Sequence, residues 1–299
     1  MEIVQHGAGA SPFPRRFDGK RFFNPSGSSP RGFLDVLRWK LTSRPEPSAR
    51  FVWDVAPSKP PSSVESDQLR VTLINHSTVL LQFGGFHVLT DPIWSERASP
   101  LAAIGPRRRR NPGVRLEDLP RIDAVLLSHN HYDHLDLATL RRLADRGESQ
   151  FIVPLGVAPL LRSRNIGPVH ELDWGESLPL APAMIHGAPA VHFSARGIFD
   201  RNSTLWCGYV VEAAGCIVYF AGDTGFGDHF AAIRERFGAP RLALRVLSVS
   251  MRDPVRPLVK LVRGLGANTI DFAVIRRLFA ARAVCPSEQK VLPKRHRPG

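Results

Sequence analysis

The sequence predicts an α+β protein in which two β-sheets are faced by helices. Three observations carry that expectation. Short β-branched and apolar runs recur from Leu69 onward, a Gly84-Gly85 pair separates two of them, and short helix-compatible segments are interspersed among the rest. Val71 to Ile74, Val79 to Phe83 and Phe86 to Thr90 read as an antiparallel meander, with the glycine pair as the hairpin turn. Ala124 to Leu127 reads as a buried strand. Leu135 to Leu143 follows as a helix with Asp136 at its N-cap, and Phe151 to Val153 returns as a strand closed by Pro154. Further strands are expected at Ala190 to Phe193, Leu205 to Val211, Cys216 to Phe220 and Arg241 to Leu247, with a helix over His229 to Phe237.

This organisation divides the 299 residues into three parts. Residues 1–66 are rich in Pro, Ser, Gly and Arg and form an extended arm that wraps the body, with one short helix around Leu34 to Leu41. Residues 67–245 form the domain, and residues 246–299 are an atypical basic tail. The formal net charge is +13, and the last 59 residues hold thirteen basic against three acidic side chains. Net charge of +10 therefore comes from residues 241–299, leaving +3 for the first 240. Such basicity points to nucleic acid when it lines a folded face. Here the tail has no recognised motif and few aromatics, so no nucleic-acid partner is expected.

No run approaches the roughly 18 to 20 apolar residues of a spanning helix, and the N-terminus lacks a charged segment followed by an apolar one, so a cytoplasmic protein is expected. Cys207, Cys216 and Cys285 show no CxxC spacing and are read as buried thiols.

The chemistry is concentrated in His129-Asn130-His131-Tyr132-Asp133-His134, directly after an apolar strand. Three imidazoles and a carboxylate on one tight loop suit Zn²⁺, with Fe²⁺ and Mn²⁺ as alternatives. His129 and His131, two residues apart, can converge on one ion from an extended turn. Asp133 and His134 can address a second ion nearby. A lone histidine in such a loop would be a solvated or capping side chain; the dense cluster reverses that balance.

The stretch Ser128 to Asp136 resembles the HxHxDH signature of the metallo-β-lactamase superfamily, whose fold is an αββα sandwich. Within it the sequence is similar to N-acylphosphatidylethanolamine-hydrolysing phospholipase D and its bacterial relatives. That similarity rests on Asn75 to Thr78, Leu89 to Pro100, Gly105 to Arg110 and Phe220 to Gly225, and extends from about Arg21 to Arg245. It implies that His129, His131 and His192 bind a first metal, that Asp133 and His134 bind a second, and that Asp223 bridges the two. His76 and Asp91 match positions near the active site and are expected to orient ligands or substrate. His87, His170, His186 and His229 match no ligand position.

Two ions about 3.5 to 4 Å apart acidify a shared water, so hydroxide is available near pH 7 to attack a phosphoryl or acyl centre. Asp133 is placed to orient it. The arginines 107 to 110 form a basic loop that either meets a substrate phosphate or is simply solvated.

The resemblance fails after the strand that starts near Leu242. The family continues with a segment carrying a histidine that completes the second site, whereas this sequence reads Arg245-Val246-Leu247-Ser248-Val249-Ser250-Met251. The only histidine after His229 is His296, which we do not take as the missing ligand. The charge jump coincides with the loss of motif, and both are compatible with a frameshift near Val246. The last strand and helix of the sandwich are then incomplete and the second metal site is one ligand short. Two readings follow from the resemblance and from where it fails: it implies a zinc hydrolase of the phosphodiesterase and phospholipase D kind, with a lipid-like substrate and transient membrane contact, while the missing ligand points to a degenerate non-catalytic metal-binding relative.

Overall fold

In the computed structural model, residues 13, 16–25, 57–99, 108, 111–197, 199–247, 258–263 and 283–284 are described. Two sheets face each other. The first has strand order β13-β1-β2-β3-β4-β5-β6, built from β1 (Gln68–Asn75), β2 (Thr78–Phe83), β3 (Phe86–Thr90), β4 (Ala124–Leu126), β5 (Gln150–Pro154), β6 (Val169–Leu172) and β13 (Ala283–Val284). The second has order β12-β11-β10-β9-β8-β7, from β7 (Ser177–Leu180), β8 (Ala183–Ala188), β9 (Gly208–Ala213), β10 (Cys216–Asp223), β11 (Leu242–Leu247) and β12 (Leu258–Arg263).

Strand periodicity explains the layering. On β2, Val79, Leu81 and Phe83 point into the space between the sheets, while Leu80 points to the opposite face. On β4 and β5 the same alternation sends Leu126 and Ile152 inward and Val125, Phe151 and Val153 outward. The inner cluster meets Ile185, Tyr209, Val211, Val218 and Phe220 of the second sheet. The outer face of the first sheet is covered by α1 (Leu137–Ala144) and α2 (Ala158–Arg162) through Leu140, Leu143 and Leu161, all fully buried. Each such leucine contributes roughly 1.5–3 kcal/mol by leaving water. On the second sheet, Val210, Tyr219 and Ala221 pack under Ile233 of α3 (His229–Phe237). The layers are thus helix, sheet, sheet, helix, the expected αββα sandwich.

The β2–β3 hairpin turns at Gly84 and Gly85, with φ of +44° and +96°. Two successive positive φ values are what a tight hairpin with a right-handed twist needs, and glycine adopts them without penalty. Asp136 caps α1 as expected, accepting from the Ala138 amide at 3.2 Å.

Some expectations are corrected. The run 190–193 is not a strand: β8 lies at Ala183–Ala188 and stops where Pro189 removes the next ladder donor. That termination leaves His192 on a loop. The strand placed at 205–211 begins only at Gly208, and β6 and β7 are strands that the sequence did not announce. Cys207 is a free buried thiol, but Cys216 is disulfide-bonded, which corrects the reading of three buried thiols. The helix expected at Leu34 to Leu41, and most of the tail, lie outside the described residues.

The arm contributes to the body wherever it is described. Phe22 joins the inner core, and the Arg16 guanidinium pairs with Asp173 through Nε at 2.7 Å and through Nη2.

Candidate metal centre

The site gathers at one rim of the sandwich, where several chain segments end together. The loop 127–136 leaves β4, Asp91 follows β3, His76 lies in the β1–β2 turn, His192 follows β8 and Asp223 ends β10. The second sheet grips the start of the central loop. The Tyr209 hydroxyl donates to the Leu127 carbonyl at 2.8 Å, and the Cys207 amide donates to the Ser128 carbonyl at 2.8 Å. Gly222 has φ +57°, and a Cβ there would stand 2.5 Å from Ser128 Cβ. Only glycine lets β10 pass this close to the loop while adopting that conformation.

His129, His131 and His192 converge. His129 Nε2 lies 2.8 Å from His131 Nδ1 and 3.2 Å from His192 Nε2, and His131 Nδ1 lies 3.4 Å from His192 Nε2. Four donors at about 2.0–2.2 Å around one tetrahedral ion lie roughly 3.3–3.6 Å apart. Two of the three separations are near that edge, and one is tighter. Burial pushes all three imidazoles down, His131 to about 4 and His192 to about 3, with His129 well below its ordinary value. They are neutral at pH 7, the form that donates a lone pair to a metal.

A second set adjoins the first. His134 Nε2 is 3.4 Å from Asp223 Oδ2 and 3.9 Å from Asp133 Oδ2, and the His129 and His134 rings are 4.2 Å apart between centroids. His129, His134 and Asp223 place their donor atoms within 4.8 Å of one another, as do His76, Asp133 and His134. Burial would lower the His134 pKa, but the carboxylates of Asp223, Asp133 and Asp91 outweigh it and hold the ring well above its ordinary value. Burial likewise disfavours the Asp133 carboxylate, yet the neighbouring His134 pulls its pKa well below the usual range. Asp223 is held at about 2 against burial by His134. Three carboxylates closing on one imidazole form a strongly negative cradle, and His134 Nε2 and Asp223 Oδ1 are buried without a hydrogen-bond partner. A divalent ion satisfies both requirements, so the residues fit a metal.

Asp91 connects the two sets. Its Oδ2 accepts from His134 Nδ1 at 2.6 Å and from the Ser128 hydroxyl at 2.6 Å, and its Oδ1 accepts from the Ser128 amide at 2.7 Å. Ser128 Oγ, its proton committed to Asp91, accepts from His129 Nδ1 at 2.9 Å. Each of these histidines is thereby fixed with its Nε2 facing the site.

Three further residues position the site, of which Asn24 and Arg196 carry no local sequence signal and Thr224 lies in the Phe220 to Gly225 stretch. The Asn24 side chain donates to the His192 carbonyl at 2.9 Å and accepts from the His192 amide at 3.2 Å, clamping that loop from the arm. Arg196 donates to the carbonyls of Asn130 and Leu135 at 3.0 and 2.9 Å and stacks over Tyr132 at 4.0 Å. Thr224 Oγ1 accepts from the Val191 amide at 2.9 Å, tying the His192 loop to the Asp223 loop.

The histidines set aside by the sequence are engaged elsewhere. His87 Nδ1 contacts the Arg121 carbonyl at 2.7 Å, His170 Nε2 contacts Gln150 at 2.9 Å, His186 Nδ1 contacts Ser177 at 2.6 Å and His229 Nε2 contacts Thr224 at 3.1 Å. Of the arginine run, Arg108 is described, and its guanidinium donates to the Trp94 carbonyl.

Fold and site together define a metallo-β-lactamase-type protein: a sequence model of the beta-lactamase superfamily domain matches residues 87–263, and the chain belongs to that superfamily. It is 39% identical over 215 residues to an uncharacterized protein of Mycobacterium tuberculosis (strain ATCC 25618 / H37Rv), covering 71% of this chain and 57% of that one. It is also 39% identical over 186 residues to an N-acyl-phosphatidylethanolamine-hydrolyzing phospholipase D of Caenorhabditis elegans, covering 58% of this chain and 52% of that one. The chain spans about half the length of these curated relatives. A solved metallo hydrolase of the archaeon Ignicoccus hospitalis is 24% identical, with a TM-score of 0.48, covering 62% of this chain and 74% of that one.

Proposed function

We propose that this chain is a zinc-dependent phosphodiesterase that hydrolyses the distal phosphoester of a phospholipid headgroup. The observation that carries the reading is the convergence of three neutral imidazoles beside a carboxylate-rich second set. The likeness to the Caenorhabditis elegans phospholipase D supports the substrate class. Bound divalent ions supply a water acidified towards neutrality and offset charge at phosphorus. His129, His131 and His192 hold the first ion in this reading, and Asp133 and His134 hold the second, with Asp223 between them. Asp133, whose carboxylate stays ionised, would orient the attacking hydroxide. Asp91 keeps His129 and His134 in the donating tautomer, directly and through Ser128. A lipid substrate implies transient contact with a membrane surface; among the described residues no helix is long and apolar enough to cross one.

The test is turnover. Zinc-loaded protein presented with N-acyl-phosphatidylethanolamine in mixed micelles is expected to release phosphatidic acid, with loss of product in His131→Ala. The second reading, a non-catalytic metal-binding relative, is favoured by the absence of any histidine between His229 and His296. Full metal loading without hydrolysis of this lipid or of a generic phosphodiester would establish it.

A further inference from the structure

The sequence leaves the second metal site one ligand short and assigns His76 to orienting a substrate. The geometry points to a different role. We propose that His76 is itself a metal ligand, forming with Asp133 and His134 a three-donor cradle for the second ion. The proposal rests on the reading that a divalent ion sits here, not on any reaction it performs.

Separation is the first argument. His76 Nε2 stands 3.5 Å from Asp133 Oδ2, and His134 Nε2 stands 3.9 Å from the same oxygen. An N–H···O hydrogen bond closes to about 2.7–3.2 Å, whereas two donors on one tetrahedral ion lie roughly 3.3–3.6 Å apart. The first pair has the spacing of co-ligands, and the second is slightly wider. The imidazole rings meet edge to face with centroids 5.0 Å apart, and the donor atoms of His76, Asp133 and His134 all lie within 4.8 Å of one another.

Satisfaction is the second argument. Nε2 of His76 and Nε2 of His134 are both buried without a hydrogen-bond partner. Buried polar atoms in native proteins are nearly always paired, and two orphaned imidazole nitrogens facing one carboxylate are paired together by a single cation.

Preorganisation is the third. His76 adopts φ +34°, a conformation uncommon outside glycine but accessible to His as to Asn and Asp, in a turn held from both sides. The Asn75 amide side chain donates to the Ile93 carbonyl at 2.9 Å, and the Thr78 hydroxyl donates to the Asp91 carbonyl at 2.7 Å. The turn is stitched to the strand end that carries Asp91, which aims His76 at the cradle. With Asp223 lying between the two sets, His76 supplies the donor by which the second site is otherwise one ligand short.

The test uses the full chain stripped with a chelator and titrated with Zn²⁺, with no substrate present. Metal content is read by mass spectrometry and imidazole nitrogens by ¹⁵N NMR. The second equivalent is expected to move the His76 Nε2 resonance in the wild type. His76→Asn, which tolerates the left-handed turn, is expected to keep the first equivalent and bind the second at least about tenfold more weakly. His76→Asp, which keeps both the turn and a ligating oxygen, is expected to recover most of that loss. A second equivalent that leaves the His76 resonance unmoved, His76→Asn binding two equivalents as the wild type does, or a wild type that takes only one, would each overturn the proposal. Absence of lipid hydrolysis would bear on the proposed function alone.

Discussion

The two halves of the metal centre are built from the same residue types in opposite electrostatic settings. His129, His131 and His192 lie in surroundings where burial dominates and keeps all three rings neutral. His134 is fully buried, more so than His131 or His192, yet the carboxylates of Asp223, Asp133 and Asp91 hold its pKa well above the ordinary value. Burial alone therefore does not set the behaviour of a histidine in this site; direct contact with carboxylates, Asp91 at 2.6 Å and Asp223 at 3.4 Å from the His134 ring, does. The first half offers lone pairs to an ion without any proton leaving. The second half holds a proton where the ion belongs, and metal entry there displaces it.

The contrast can be broken first at the ligands. His131→Ala removes one of three converging nitrogens, and the first zinc equivalent is expected to weaken by more than the roughly 10–100-fold that loss of an outer partner costs. Equilibrium dialysis against a competing chelator measures it, and unchanged affinity would refute the assignment. Next comes Asp91, whose carboxylate serves both halves. Asp91→Asn is expected to lower affinity for both equivalents by about 10–100-fold and to destabilise the metal-free fold by about 1–3 kcal/mol. Loss confined to one equivalent would show that the bridge through Ser128 does not operate.

The third prediction sharpens the difference through pH. In metal-free protein His131 and His192 titrate near 4 and 3, below their ordinary value of 6.5. The unfolded chain therefore takes up protons first, and stability falls as pH drops from 6.5 towards 3, by up to about 1.4 kcal/mol per pH unit for each ring. His134 has the opposite sign: its stabilisation is complete below 6.5 and is lost as pH rises through its elevated pKa. Urea unfolding of chelated protein across pH 4 to 9 is expected to peak near 6.5, and a monotonic profile would contradict the contrast. The smallest effect is expected at Asn24→Ala. Losing the clamp on His192 costs about 1 kcal/mol of stability, with little change at the second half. Thermal melts and zinc titration check both parts.

How much of this was legible in the sequence depends on the range of the interaction. The β2–β3 hairpin, the Asp136 cap and the 129–134 loop are each written within a few residues, and each forms as expected. By local criteria His192 reads as an ordinary strand residue and Asp223 as a turn residue, and both became visible only through the order and spacing of the family they resemble. The strands β6 and β7 escaped because both are edge strands of four residues, and β7 contains Pro179, which a sheet tolerates only at its edge. Pro189, by contrast, was passed over inside an apolar run and ends β8 before the residues expected to be a strand. Asn24 could not have been found: its partner lies 168 positions away, and no spacing rule spans that distance.

The convergence of His129, His131 and His192 is tested most directly by zinc-edge X-ray absorption on protein loaded with one equivalent of metal. The geometry predicts a first shell containing about three imidazole nitrogens at about 2.0–2.1 Å, with the outer-ring scattering that imidazole gives. A shell of oxygen alone, without imidazole scattering, would contradict it.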